Sequence, residues 1–187
     1  MLELPSGLDR RHLIERGEWI SPVDGDRVVR EQYAVEAAPA IKGFGGYLDL
    51  WREKRRHRRL PTREDFATIR AADTIAGTHV IDISSGSASD YLISEFDSRF
   101  QLHGLDMTGI RVADFPSKSI NNISLRDYSA AASMQDCSLT EIALPEDKEL
   151  PRRWARLILP LQEPGETRPS RLLLVIQLIA REDGQHE

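Results

Sequence analysis

Short apolar runs bounded by turn residues predict five β-strands from residue 78 onward. The runs lie at residues 78–83, 90–96, 137–144, 153–161 and 171–179. The Ser/Gly-rich loop at 84–89 predicts a hairpin between the first two strands. The last run, RLLLVIQLI, is apolar on both sides, so we expect both faces of the sheet to be covered. Helices would cover one face, and the N-terminal part of the chain or a partner would cover the other.

Helical patterns precede the strands and separate the second strand from the third. An apolar stripe at residues 47–51 predicts a helix that begins near Gly46 and ends near Pro61. Thr62 and Asp65 have capping-box spacing, which predicts a short second helix ending around residue 73. Residues 104–136 contain scattered Gly, Pro and Asn, which predicts loops and short helices, with a weakly helical stretch at 124–134.

The same patterns divide the chain into three parts. Residues 1–45 are interrupted by glycines and prolines, and we interpret them as a partly irregular N-terminal appendage. This appendage could dock on the main domain or on a second subunit. Residues 46–180 form the predicted domain, and 181–187 form a predicted disordered tail.

Three local motifs accompany the order helix, two strands, helical block, three strands. They are LW at 50–51 followed by RLPTREDF at 59–66, then GLDMTG at 104–109, and RLILPL at 156–161. Together with the element order, they resemble a PAS-like domain family common in alphaproteobacteria. The resemblance covers roughly residues 46–180. It departs from the family at Phe96-Asp97, where members carry a Gly-Thr pair, and in a short helical block at 110–136.

The resemblance implies an α+β fold, with a five-stranded antiparallel sheet, short helices on one face and an N-terminal flanking helix. It implies a non-catalytic sensory or regulatory module that binds a small molecule, a protein partner or both, in signal transduction. It also implies a homodimer. The ligand pocket would lie near Phe115 and Tyr128, with His103 at its entrance, and the short helical block predicts that this pocket is small or filled.

The net charge and the composition of the chain limit the classes of function that we expect. The net charge of −5 gives no general attraction to nucleic acid or to anionic membranes, and no stretch approaches the ~18 apolar residues of a membrane span. A single cysteine, Cys137, excludes an intrachain disulfide, so we expect a cytoplasmic protein in which this thiol is buried and structural. The five histidines lack metal-ligand spacing, and no nucleophile, base and orienting group fall into a catalytic pattern. We therefore expect no metal and no enzymatic activity, and we identify no cofactor.

The basic run REKRRHRR at 52–59 supports an alternative function. Arginine forks bind phosphate, so Arg55, Arg56, Arg58 and Arg59 could make the chain a nucleic-acid or nucleotide-binding regulator. A solvated helix face, or ion pairs with the acidic segments at 146–149 and 163–166, is the simpler explanation of the run. Because the net charge is negative and no aromatic residue interrupts the run, we do not expect nucleic acid as the partner.

Overall fold

The chain folds around one antiparallel sheet. The computed structural model describes residues 8–22, 25, 27–56, 59–69, 76–97, 106–144 and 153–179. In chain order the strands are β1 (Leu13–Ile20), β2 (Arg27–Tyr33), β3 (Gly77–Asp82), β4 (Leu92–Glu95), β5 (Ser138–Ala143), β6 (Arg153–Leu161) and β7 (Arg171–Leu178). They pair in the order β1-β2-β5-β6-β7-β3-β4. The fold class is therefore α+β.

All five predicted strands are present as β3 to β7, but the predicted number of strands in the sheet is wrong. The sheet has seven strands, because residues assigned to the N-terminal appendage supply β1 and β2. β2 pairs with β5, with Gln32 opposite Thr140, and β1 pairs with β2, with Trp19 opposite Val28. These two strands extend the sheet beyond the five that the resemblance implies.

Two longer helices accompany the sheet, α1 (Phe44–Arg55) and α2 (Lys118–Met134). α2 is longer than predicted because its N-cap is Ser117, whose hydroxyl accepts from the Ile120 N–H at 3.3 Å. The predicted second helix is reduced to a 3-10 turn at Glu64–Thr68, and residues 70–75 lie outside the described part of the chain. The Asp65 carboxylate nevertheless accepts from the Thr62 N–H at 2.9 Å, as the predicted capping box requires.

The two helices lie on opposite faces of the sheet, so the expectation that helices occupy one face is wrong. Alternate residues of β6 show this: Leu157 and Leu159 pack in the cluster that contains α1, whereas Ile158 packs in the cluster that contains α2 residues. The Trp51 indole N–H donates to the Pro160 carbonyl at 3.0 Å and fixes α1 against β6. The prediction that both faces are covered is confirmed, and α1 supplies the second cover.

No helix among the described residues is long and apolar enough to cross a membrane.

Candidate functional site

Helix α2 presents polar side chains to the sheet as well as apolar ones. Ser124, Asp127 and Tyr128 have the i, i+3, i+4 spacing that places side chains on one helix face, and all three are buried. Opposite them, on the same sheet face, β2 contributes Arg30 and β6 contributes Arg156. A polar cluster thus lies inside the layer between helix and sheet.

The Asp127 carboxylate is shared by two guanidinium groups. One oxygen accepts from Arg30 Nε at 2.8 Å and lies 2.7 Å from Arg30 Nη2, and the other accepts from Arg156 Nη2. Arg156 Nη1 also donates to the Ser124 hydroxyl at 3.2 Å and to the Tyr128 hydroxyl at 3.3 Å. Its guanidinium carbon lies 5.1 Å from the centre of the Tyr128 ring, a cation–π distance. We call Arg30, Asp127 and Arg156 the arginine–aspartate cluster.

The cluster has more buried positive than buried negative charge. Its three members are each at most 3% exposed, and two cations face one anion. Arg30 finds a second carboxylate in Glu15 of β1, at 3.1 Å, but Glu15 is half-exposed and is shared with Arg126. Hydrogen bonding from Arg126, with the charges of Arg126 and Arg30, lowers the pKa of Glu15. Because buried charges require compensation, the surplus positive charge makes this layer suited to an acceptor oxygen or an anion.

Two polar atoms, at directly opposite positions of β5 and β6, have no hydrogen-bond partner among the described residues. They are Arg156 Nε and the hydroxyl oxygen of Thr140, and Thr140 is fully buried. Thr140 on β5 is directly opposite Arg156 on β6, so both side chains project from the same sheet face. An oxygen atom placed near both could accept from the guanidinium N–H and exchange a hydrogen bond with the hydroxyl.

The predicted pocket residues are partly brought together. Tyr128 belongs to the site, and Phe115 lies half-buried in the same helix–sheet layer, packing against the apolar cluster that contains Tyr128. The Phe115 carbonyl accepts from the Asn121 side chain at 3.1 Å, which holds the segment before α2 against the helix. His103 lies outside the described residues.

Of the predicted anion-binding arginines, Arg55 and Arg56 lie at the C-terminal end of α1 and Arg59 follows it. Arg55 is half-buried, Arg56 and Arg59 are exposed, and Arg58 lies outside the described residues. Two other cations of the run are engaged within the fold: Arg52 pairs with Glu36 and Lys54 with Asp65, each at 3.1 Å. Cations at this end also complement the helix dipole. Part of the basic run therefore forms ion pairs within the fold.

A second buried ionic cluster lies on the opposite face of the sheet. Glu141 of β5 accepts from Arg153 Nε at 2.9 Å, and Glu31 of β2 accepts from the Tyr33 hydroxyl at 2.8 Å. Arg16 of β1 lies 3.2 Å from Glu31. Arg153 Nη2 also donates to Glu31 at 3.4 Å, so the contacts join four strands, β1, β2, β5 and β6. We interpret them as structural.

Cys137 immediately precedes β5, is half-buried rather than buried as predicted, and packs against the core that contains α1. Burial is the main cause that raises the pKa of its thiol to about 12. Since the thiolate is the reactive form, we expect iodoacetamide at pH 8 to modify the folded protein at least about tenfold more slowly than the urea-unfolded chain. Equal rates in the two states, followed by intact-mass spectrometry, would contradict the raised pKa of this half-buried thiol.

The described residues contain no group of three or more His, Cys, Asp or Glu arranged to hold a metal ion. Comparisons of the chain with family models, with curated proteins and with solved structures find no match.

Sequence reasoning identifies Tyr128 but misses the charged members of the site. Arg30 and Asp127 are separated by 97 positions, and no local pattern links them. One signal was available: Arg156 interrupts the apolar run WARLILPL, and a charged residue inside a buried strand requires a partner. A polar position on the inner face of the facing helix was the place to search for that partner.

Proposed function

We propose that this chain is a non-catalytic, PAS-like sensory module that binds a small molecule between α2 and the sheet and passes the change to a protein partner by contact. The arginine–aspartate cluster, with the neighbouring unpartnered atoms of Arg156 and Thr140, is the observation that carries the proposal. If this layer served stability alone, apolar residues would suffice, because well-packed apolar residues can replace buried ion pairs at little or no cost in stability.

The arrangement of elements supports the PAS-like part of the proposal. β3 to β7 are contiguous in the sheet, in the order β4-β3-β7-β6-β5. α1 precedes these five strands and α2 lies between β4 and β5 in the chain. This is the order of helix, two strands, helical block and three strands that the resemblance implies. A shared fold does not fix a function, so the ligand is argued from the site alone.

The chemistry of the site favours a ligand with an acceptor oxygen, and a carboxylate suits it best. A carboxylate can accept from Arg156 Nε and from the Thr140 hydroxyl together, and its charge would balance the surplus buried cation. Tyr128 and the nearby half-buried Phe115 would contact an apolar portion of such a ligand. A ligand of this kind is a small organic acid.

The contacts around Arg30 supply a route from the ligand to the surface of the molecule. Arg30 bridges Asp127 on α2 and Glu15 on β1, and Arg126 of α2 contacts the same Glu15 at 3.0 Å. A ligand that competes with Asp127 for a guanidinium would favour a different position of α2 relative to β1. Such a shift requires only that the ligand bind the two positions with different affinity.

Native mass spectrometry of the protein purified from its own host tests the proposal. We expect a non-protein mass in a one-to-one ratio with the chain, and we expect Thr140→Val to lose that mass. Because valine preserves the shape and removes only an unpartnered hydroxyl, the free energy of unfolding of the ligand-free variant should change by less than about 1 kcal/mol.

Ser170→Ala is the matched control, since Ser170 also carries a buried hydroxyl without a partner among the described residues but lies beside Leu161, five residues along β6 from Arg156. This variant should retain the bound mass. A wild-type protein that carries no ligand, or a Thr140→Val variant that keeps it, would overturn the proposed site.

A further inference from the structure

The two edges of the sheet are built differently. At one edge, the backbone of β4 is covered by residues 109–112: the Ile93 N–H donates to the Ile110 carbonyl at 3.0 Å, and the Gly109 N–H donates to the Ile93 carbonyl at 2.8 Å. Arg111 forms a bridge with Leu92 beside them. At the other edge, β1 pairs with β2 on one side and with no other strand among the described residues. β1 carries a register shift between Leu13 and Glu15 and is regular from Glu15 to Ile20. An edge that is uncovered among the described residues is a template for a further strand.

β1 also exposes two large apolar side chains. Ile14 and Ile20 are 64% and 65% exposed, whereas most large apolar residues of the described chain are buried. They lie near the two ends of the strand, one on each side of Gly17. Apolar residues at both ends of an uncovered edge suit a partner strand with the same spacing.

We propose that β1 pairs antiparallel with β1 of a second copy of this chain, about a two-fold axis at Gly17, so that the two sheets become continuous. In this register, Ile14 is opposite Ile20 of the second copy, and Arg16 is opposite Glu18, and symmetry repeats both pairs. An interface between identical surfaces with two-fold symmetry is the commonest form of protein association. This edge is separate from the ligand site, so the proposal does not depend on a ligand.

Neighbouring registers are less favourable. Moving the axis to residue 16 or to residue 18 sets Arg16 opposite Arg16 or Glu18 opposite Glu18. Like charges directly opposite each other destabilise a strand pair. Among these registers, only the axis at Gly17 places opposite charges across from each other and also places apolar side chains across from each other.

Charges on the same sheet face extend this complementarity. Arg16 lies 3.2 Å from Glu31 and Arg27 lies 2.5 Å from Glu18 within one copy. Across the axis the charges would alternate as Glu31, Arg16, then Glu18 and Arg27 of the second copy. In such a network each inner charge has more than one neighbour of opposite sign. The network therefore stabilises the interface more than an isolated surface ion pair would.

Sedimentation velocity of the full chain over a range of concentrations tests the proposal. A pairing of residues 14–20 is seven residues long and belongs with the small interfaces, so we expect a monomer–dimer equilibrium whose dimer fraction rises between about 5 and 500 µM. The double variant Ile14→Lys/Ile20→Lys should weaken association at least about tenfold, because it places cations at both ends of the interface. Circular dichroism checks that the variant remains folded.

Met134→Lys is the matched control, since Met134 is likewise exposed and apolar but lies at the end of α2. It should associate as the wild type does. A wild-type chain that remains monomeric at every concentration would overturn the proposal, as would isoleucine variants that dimerise normally.

Disulfide formation tests the register in a Cys137→Ser background. Opposite residues in an antiparallel pair lie about 4.5–5.5 Å apart between Cα atoms, within the range of a disulfide. Mixing an Arg16→Cys chain with a Glu18→Cys chain should therefore give more cross-linked dimer than either chain alone. Equal or greater cross-linking of either chain with itself would contradict the axis at Gly17.

Discussion

Replacing Asp127 with asparagine is expected to lower the free energy of unfolding by about 3–5 kcal/mol. The substitution preserves the shape of the side chain but leaves Arg30 and Arg156 buried with no buried anion between them. Removing one member of a buried ionic group is costly because the remaining charges stay desolvated without compensation. Urea denaturation of the wild type and the variant at pH 7 measures the difference.

Two further variants isolate this effect. Asp114→Asn removes the carboxylate of an exposed pair with Arg111, and we expect it to cost less than about 1 kcal/mol. In the double variant Asp127→Asn/Arg156→Gln, the second substitution removes one of the uncompensated charges, so the combined loss should be smaller than the sum of the two single losses. If Asp127→Asn costs no more than Asp114→Asn, Asp127 does not compensate the two arginines.

The strands that sequence predicts best are those whose burial is uniform. All nine residues of β6 are buried, and its apolar run is correspondingly plain in the sequence. β1 is different: five of its eight residues are exposed, so the segment LIERGEWI shows charges and a glycine where a half-buried strand would show regular alternation. The charges of an edge strand restrict which strands can pair with it, and they also conceal the strand from pattern analysis.

The sequence pattern does not predict β2, for another reason. Arg30 and Glu31 are both buried in it, each on a different face of the sheet, and each is compensated by residues far away in the chain. Adjacent charged residues normally indicate solvent exposure. The helical site residue Tyr128 could be predicted because an aromatic residue in a short amphipathic stretch is visible locally, whereas the ionic pairing of Asp127 depends on tertiary contacts.

His79 is expected to make the protein lose stability as the pH falls from about 6.5 to about 4. The ring is buried, stacks on Phe96 with 4.3 Å between ring centres, and accepts from the Asp97 N–H through Nδ1 at 3.1 Å. Burial lowers the pKa of His79 from its ordinary value of 6.5 to about 4, and the charge of Asp97 opposes this shift only in part.

The direction of the effect follows from proton binding in the two states. Between pH 6.5 and pH 4 the unfolded chain carries a proton on this imidazole and the folded chain does not, so protons favour unfolding in that window. The contribution is fully present above about pH 6.5, declines as the pH falls, and amounts to up to about 3 kcal/mol. Several carboxylates with lowered pKa, including Glu15 and Asp65, also titrate at acidic pH and would add to the loss.

The difference between wild type and His79→Gln isolates the histidine from these carboxylates. Glutamine can still accept from the Asp97 N–H but does not titrate, so the gap in unfolding free energy between the two proteins should shift by up to about 3 kcal/mol in favour of the variant from about pH 7 to about pH 4. Urea denaturation at closely spaced pH values measures it, and His12→Gln, at an exposed position in the 3-10 turn before β1, is the matched control. A gap that stays constant across this range would mean that the buried imidazole accepts a proton as readily in the folded chain as in the unfolded one. Burial beside Phe96 would then not lower the pKa of His79.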